Sequence, residues 1–234
     1  MLSDIMTNIH NIQNKKAGNL TVFAGPMRAK KSGLLIEEIW QLNFTGLKVA
    51  AFIHSRSRDS EIASRMSSKK FPAIKIDNAF ECFNHITPET EVVAIDEAQF
   101  FGDDIITVVK LLINAGKDIY ISGLDMNWKG EPFGAMGSLL AMADDVVKMK
   151  TVCCVPHCPL ARYATKTTFT LAEKDVSAPT NFVADEKKES EVYYASCNLH
   201  WRFQLKDEER KMIESLSEEI REKIKQLEKI NSGQ

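Results

Sequence analysis

The stretch V-A-I-D-E-A-Q-F-F, Val93 to Phe101, is the clearest sign of architecture in this 234-residue chain. It joins an apolar run to two adjacent carboxylates, Asp96 and Glu97. Such a run is typical of a buried strand in a parallel sheet, which carries its acidic end to the edge of that sheet. A carboxylate there can hold a metal ion or accept a proton from a hydroxyl group, although a solvated acidic turn has the same pattern.

Apolar strands alternate with helices on both sides of this stretch. We predict strands at 20–25, 47–54, 72–76, 92–96 and 118–125, helices at 32–42 and 105–115, and a flexible polar loop at 56–70. This order predicts an α/β fold with a parallel sheet and helices on both of its faces. Ligands are expected at the carboxyl ends of the strands.

Changes in composition divide the chain into four expected parts. They are a mobile N-terminal arm (1–17), an α/β domain (18–150), a small metal-stapled region (151–203) and a tail (204–234). In the tail, Ile213, Ile220 and Leu227 recur every seven residues, which indicates an amphipathic helix. Packing of this helix on its own domain and on a partner subunit are both left open.

The overall composition excludes several classes of protein. Hydrophobic residues make up 44%, charged residues 26%, and the net charge is -2. This balance predicts a globular protein and gives no support for general binding of nucleic acid or an anionic membrane. No apolar run approaches the roughly 20 residues of a membrane span, and no signal-peptide pattern is present. We therefore expect a cytoplasmic location.

The five cysteines are arranged for a metal rather than for disulfides. Their odd number, without a secretion signal, argues against a disulfide framework. Cys197 and His200 have a common chelating spacing, and Cys158 with either Cys153 or Cys154 can complete a four-ligand zinc site. Reduced cysteines in a small core are the alternative.

A phosphate-loop pattern follows the first predicted strand. The segment consists of Gly25, Pro26, Met27, Arg28, Ala29, Lys30, Lys31 and Ser32. It matches G-x-x-x-x-G-K-[ST] at Gly25, Lys31 and Ser32, where backbone amides surround phosphates, the lysine adds charge and the hydroxyl binds Mg²⁺. Lys30 replaces the second glycine, at a position whose backbone conformation glycine tolerates best. Lysine there costs on the order of 1–3 kcal/mol.

Together, four motifs resemble those of the type II thymidine kinases, the tetrameric class with a structural zinc, from about residue 20 to 201. The loop resembles the family's G-P-M-F-S-G-K-[ST], and I-D-E-A-Q-F-F (95–101) reproduces the family's motif. G-L-D-M-N-W-K-G-E-P-F (123–133) resembles G-L-D-x-[DT]-F-[RQ]-x-x-P-F, and Y-Y-A-S-C-N-L-H (193–200) is similar to Y-x-A-x-C-R-x-H.

The resemblance implies transfer of the γ-phosphoryl group of ATP to the 5′-hydroxyl of thymidine or deoxyuridine, a step of DNA precursor synthesis. Glu97 would be the general base. Asp96 and Ser32 would support Mg²⁺, and Lys31 would bridge phosphate oxygens. Gln99 would order the loop behind the site.

The resemblance also implies a nucleoside pocket, a zinc ligand set and a homotetramer. The pocket residues would be Met27, Phe101, Leu124, Trp128 and Tyr193, although core packing is the alternative for each aromatic. The zinc ligands would be Cys153, Cys158, Cys197 and His200, with Cys153 favoured over Cys154 because it follows T-V as the family's cysteine follows its own apolar residue. The segment 159–196 would be the lasso that closes over the nucleoside.

Departures from the family concentrate where nucleotide is handled. Besides Lys30, Leu34 replaces a usual glutamate and Trp128 a usual phenylalanine. Three hypotheses follow: an active deoxynucleoside kinase, a kinase with changed nucleoside or phosphate-donor preference, and a kinase-fold protein without turnover that acts as a binding or assembly module.

Overall fold

The computed structural model describes residues 17–57, 59–64, 68–160, 163–169, 193–201 and 207–231. Residues 1–16 of the predicted arm and 170–192 of the predicted lasso lie outside the described residues. Internal contacts divide the chain into two units, Met1–Trp201 and Arg202–Gln234.

Six strands form the central sheet of the first unit, and every neighbouring pair is parallel. They are β1 (Leu20–Ala24), β2 (Val49–His54), β5 (Ile74–Ile76), β6 (Val92–Asp96), β7 (Asp118–Gly123) and β8 (Asp145–Lys148). Their order is β5-β2-β6-β7-β1-β8. Two antiparallel pairs are β3 (Glu61–Ala63) with β4 (Lys70–Pro72), and β9 (Lys166–Phe169) with β10 (Tyr193–Ser196).

Helices cover both faces of this sheet. They are α1 (Lys31–Phe44), α2 (Asp104–Asn114) and α3 (Met136–Met142), with 3-10 turns at Ala79–Asn84 and Ala98–Phe100. Consecutive strand residues alternate between two cores: Phe23 and Ala94 pack with α1 and the β3–β4 pair, whereas Val22 and Ile95 pack with α2 and α3. This alternation follows from the pleat of a strand that is buried on both faces. The predicted α/β fold is confirmed.

The strand order brings the functional loops to one edge. β6 lies between β2 and β7, with Ile95 in register with Phe52 and Ile121, and β1 follows β7. The carboxyl ends of β1, β6 and β7 are therefore adjacent, so the loop after β1, the acidic pair and the residues after Gly123 share one edge.

Three elements differ from the sequence expectations. The segment predicted as a flexible loop, 56–70, contains β3, which pairs with β4 at the end of that segment. The short elements β8 and α3 were not predicted. β8 has the sequence D-V-V-K, in which the two apolar residues are adjacent, so it lacks the alternating apolar pattern on which a strand prediction depends.

The second unit contains α4 (Asp207–Asn231), in agreement with the predicted tail helix. Its described side chains Met212, Leu216 and Ile220 are exposed. Within the described residues, no helix combines the length and apolar content needed to cross a membrane.

Candidate active site and metal centre

In the phosphate-loop segment, the two non-glycine residues Arg28 and Lys30 have the left-handed backbone conformation that side chains disfavour. Gly25 has φ 147°, and a Cβ on it would lie 2.5 Å from the Met149 carbonyl oxygen, which explains the glycine. Lys30 has φ 64° and ψ 23°, the left-handed conformation expected of a glycine, and Arg28 has φ 62°. The expectation of glycine-like geometry at Lys30 is confirmed, so the loop keeps this conformation despite the side chain.

The loop leads directly into the N-terminus of α1, which presents positive charge. α1 has 14 residues, and its first turn contains no acidic side chain. Its backbone N–H groups and dipole favour an anion at this end. Lys31 Nζ reaches back over the loop and donates to the Pro26 carbonyl oxygen at 2.9 Å, while Arg28 and Lys30 line the same cavity.

Asp96, at the end of β6, is the buried acceptor around which the site is organised. It is 3% exposed. Its Oδ1 accepts hydrogen bonds from Ser32 Oγ at 3.2 Å, from the Glu97 backbone N–H at 2.9 Å, and from the Ser122 hydroxyl. Burial and the neighbouring Glu97 carboxylate raise the pKa of Asp96 to about 6, and these hydrogen bonds oppose the rise.

Glu97 is held beside Asp96 in a strained conformation. Its φ of 55° is left-handed, which is uncommon for a residue with a side chain and often marks a functional position. Gln99 Nε2 donates to Glu97 Oε2 at 2.5 Å, and Gln99 Oε1 accepts from the Leu124 backbone N–H at 3.0 Å. Gln99 therefore connects the carboxylate to the end of β7.

A cavity of about 680 Å³ is lined by residues of both the basic loop and the acidic pair. Its lining includes the basic residues Arg28, Lys30 and Lys31 and the acidic residues Asp96 and Glu97. This volume lies within the usual range for small-molecule sites, roughly 300–1,000 Å³. A lining with both cationic groups and carboxylates suits an anionic ligand that is accompanied by a metal ion.

The five residues assigned to the nucleoside pocket do not occupy one surface. Met27 and Leu124 line the cavity. Trp128 and Tyr193 form a separate buried aromatic cluster with Phe169, and Met27 packs against that cluster.

Phe101 belongs to the main core, and its ring centroid lies 4.8 Å from that of His54. For Phe101, core packing is therefore what the described contacts show. Phe169 is not among the pocket residues predicted from the sequence, although the threonines and the aromatic residue of K-T-T-F (166–169) are residue types that favour a strand.

The structure brings Cys153, Cys158, Cys197 and His200 together. One possible ligand atom from each lies within 4.8 Å of the others. His200 Nδ1 is 3.5 Å from Cys153 Sγ and 3.4 Å from Cys197 Sγ, and the Cys158 and Cys197 sulfurs are 3.6 Å apart. These separations match a tetrahedral zinc site, in which Zn–S bonds of about 2.3 Å place sulfurs about 3.8 Å apart.

Cys154 is not part of this cluster. It is exposed, and its Sγ lies 3.7 Å from Arg28 Nη1. Between Cys153 and Cys158 the chain turns at His157, whose φ is 56°. Of the two spacings that the sequence left open, the cluster therefore contains Cys153-x4-Cys158 and not Cys154-x3-Cys158.

The chemistry of the cluster also suits a cation. Burial opposes ionisation of Cys197, but hydrogen bonds from the backbone of His200 and from Cys158 outweigh it and lower the pKa of Cys197 to about 7. Burial, together with the Cys197 and Cys153 thiols, raises the pKa of Cys158 to about 11. Three sulfurs this close repel each other once ionised, and a bound cation removes that repulsion.

Comparison with known proteins agrees with this arrangement. The family model described as thymidine kinase matches residues 18–201, which include both the phosphate-loop segment and the Cys/His cluster. The chain belongs to the thymidine kinase family.

Members of the family with similar sequences come from several bacteria. A thymidine kinase of Ureaplasma urealyticum serovar 10 is 38% identical over 148 residues, covering 60% of this chain and 66% of the relative. One from Onion yellows phytoplasma is 39% identical over 141 residues, or 59% and 68% of the two chains. One from Mycoplasma genitalium is 34% identical over 195 residues, or 82% and 87%. The match thus spans just under two thirds of the first relative and most of the third.

Proposed function

We propose that the protein is a thymidine kinase that transfers the γ-phosphoryl group of ATP to the 5′-hydroxyl of thymidine or deoxyuridine. The observation that carries this proposal is the contact between Ser32 Oγ and Asp96 Oδ1 at 3.2 Å. It joins the start of the helix after the phosphate loop to the acidic end of β6, which is the pairing that holds Mg²⁺ in phosphate-loop enzymes. Family membership supports the same reaction.

In the proposed reaction, Glu97 accepts the proton of the nucleoside hydroxyl. Its support is its place at the cavity beside Asp96 and its fixation by Gln99 at 2.5 Å. Asp96 and Ser32 would hold Mg²⁺, which supplies charge neutralisation between the phosphates when it is bound. A hydrogen bond that fixes the base reduces the motion needed before proton transfer.

The phosphates of ATP would lie against the loop and the N-terminus of α1. The backbone of Lys30 supports this role, because its left-handed conformation keeps the turn that a phosphate loop requires. Lys31 would exchange its contact with the Pro26 carbonyl for phosphate oxygens. Arg28 and Lys30 add charge to the same wall of the cavity.

The Cys/His cluster would bind one structural zinc ion. Four protein ligand atoms are available, from Cys153, Cys158, Cys197 and His200. Structural zinc sites have four protein ligands, whereas catalytic sites have three and leave one coordination position for water or substrate. Zinc would hold the chain before the segment 159–196 close to the chain after it. A homotetramer and a cytoplasmic location also belong to this proposal, on family resemblance alone.

One observation favours a second candidate, a protein of this fold that binds nucleotide without turnover. Lys30 places a charged side chain on the wall where the family has glycine. If that side chain occupies the phosphate position, ATP binds poorly or out of line.

The test is phosphoryl transfer from ATP to thymidine by zinc-loaded protein with Mg²⁺, with deoxyuridine, deoxycytidine and the purine deoxynucleosides assayed alongside. Formation of thymidine or deoxyuridine monophosphate supports the kinase. Binding of nucleotide without product supports the second candidate.

A further inference from the structure

Trp128 carries a buried hydrogen-bond donor that the protein itself does not use. The side chain is 6% exposed, and among the described residues its Nε1 finds no acceptor. A buried donor without an acceptor lowers the stability of the fold, so native structures usually provide one from the protein, from water or from a ligand.

Among the described residues, a second buried side-chain polar atom has no hydrogen bond, and an ion pair explains it. Asp125 Oδ2 lies 3.1 Å from Lys148 Nζ, so an ion pair compensates it. Trp128 Nε1 has no such partner among the described residues, and a neutral N–H cannot be compensated by a nearby cation. Its own ring already has Lys129 Nζ at 5.0 Å from the centroid.

The surroundings of the donor indicate a flat ligand. The ring centroids of Trp128 and Phe169 are 5.4 Å apart, and Phe169 stacks on Tyr193 at 4.8 Å with 27° between the planes. Met27, which lines the cavity, packs against these rings. Aromatic walls of this kind suit a planar heterocycle, whereas the cations for phosphate lie on the loop.

We infer that Trp128 Nε1–H donates a hydrogen bond to a ring carbonyl oxygen of the pyrimidine base and so selects the nucleoside. This inference rests on the proposed function, because it takes thymidine as the ligand. The exocyclic acceptors of that base are two oxygens, O2 and O4. A phenylalanine at position 128 keeps an aromatic ring, smaller than the indole, without the N–H donor. The tryptophan therefore adds a hydrogen-bond donor to a wall that is otherwise apolar.

Sulfur is a poor acceptor, so thio-substituted nucleosides test the inference directly. Dissociation constants are measured for thymidine, 2-thiothymidine and 4-thiothymidine with zinc-loaded wild type, Trp128→Phe and Trp40→Phe. Trp40 is the control, because its Nε1 donates to the Lys70 carbonyl oxygen at 3.0 Å and it lies outside the aromatic cluster.

Wild type and Trp40→Phe should prefer thymidine over one of the two thio analogues by roughly 2- to 12-fold, the factor that one net hydrogen bond gives. Trp128→Phe should lose that preference while binding the discriminated analogue about as tightly as wild type does. Equal preferences in wild type and Trp128→Phe overturn the inference. So does an equal loss of affinity for all three nucleosides, since that outcome reflects packing alone.

A second measurement does not depend on the folding of Trp128→Phe. The indole ¹H–¹⁵N resonance of Trp128, assigned by elimination with Trp40→Phe and Trp201→Phe, should move further on addition of thymidine than on addition of the discriminated analogue. Equal shifts contradict the hydrogen bond. If wild type binds and phosphorylates thymidine, such a result removes only the inference; if it binds none of the three, the proposed function fails as well.

Discussion

Ser32 and Asp96 are 64 positions apart in the chain, yet Ser32 Oγ lies 3.2 Å from Asp96 Oδ1. The contact joins the first turn of α1 to the end of β6, and the Ser122 hydroxyl at the end of β7 reaches the same oxygen. Three elements thus converge on one buried carboxylate, which is 3% exposed. A carboxylate and a hydroxyl in this arrangement suit a divalent cation that accompanies a nucleotide.

Replacement of Glu97 by Gln should reduce phosphoryl transfer by roughly 10²- to 10⁴-fold, the range for loss of a general base. The amide keeps the size of the side chain but cannot accept the hydroxyl proton. Turnover with ATP and thymidine measures the effect, and thymidine binding should stay within a few-fold of wild type. Glu91→Gln, at the opposite end of the same strand, is the matched control. Wild-type turnover in Glu97→Gln would remove Glu97 from the role of base.

Lys30→Gly and Lys30→Ala separate strain from charge in the phosphate loop. Both remove the ammonium group, but only glycine relaxes the left-handed backbone at φ 64°. Lys30→Gly should therefore have a free energy of unfolding about 1 kcal/mol above that of Lys30→Ala. We also expect it to bind ATP more tightly than wild type, measured by titration with Mg²⁺. Weaker binding by both variants would mean that the lysine holds phosphate.

Cys153→Ser and Cys154→Ser test the metal centre with adjacent residues. Cys153→Ser should lose zinc and unfold at lower temperature, because its sulfur lies in the cluster of four ligand atoms. Cys154→Ser should keep about one zinc per chain, because Cys154 is exposed and outside the cluster. Metal analysis and thermal unfolding report both outcomes. Equal zinc content in the two variants would refute the ligand set.

The buried Asp96 should make the Mg²⁺-free protein less stable as pH rises. Its pKa is raised to about 6 in the fold, whereas an unfolded aspartate titrates near pH 4. Between these values the native state binds a proton that the unfolded chain has released, so the free energy of unfolding falls with increasing pH, by up to about 3 kcal/mol.

The asparagine of Asp96→Asn does not titrate. The free energy of unfolding of this variant should therefore fall less between pH 4 and 6 than that of wild type. Denaturant unfolding of both proteins between pH 4 and 7 isolates the difference, because the zinc cluster and the other carboxylates are common to both. Parallel curves for the two proteins would contradict the raised pKa. Mg²⁺ should restore stability near neutral pH in wild type but not in the variant.

Residues with a strong local pattern were predictable from the sequence. The apolar runs before Gly25 and Asp96 predicted the two strands that carry the site, and the parallel sheet followed from their alternation with helices. The Cys197-x-x-His200 spacing predicted half of the metal cluster. The conformation of Lys30 was predictable too, because the motif fixes a glycine there.

Other features depend on contacts between distant residues and had no local signal. The choice between Cys153 and Cys154 depends on which sulfur faces His200, 47 residues away from Cys153. The ring of Phe101 packs on His54 in the core, a contact that its motif does not reveal, and its assignment to the pocket stays a prediction. The exposed strand β8 forms because β1 offers it a parallel edge, which its own residues do not reveal.

In the proposed reaction the acidic pair and the phosphate loop act together on ATP and thymidine. The most direct measurement is the rate of thymidine monophosphate formation by the zinc-loaded full chain with MgATP, compared between wild type and Glu97→Gln. We expect sustained turnover by wild type and a loss of at least about 100-fold in the variant. A folded, zinc-containing wild type that forms no monophosphate from any deoxynucleoside would contradict it.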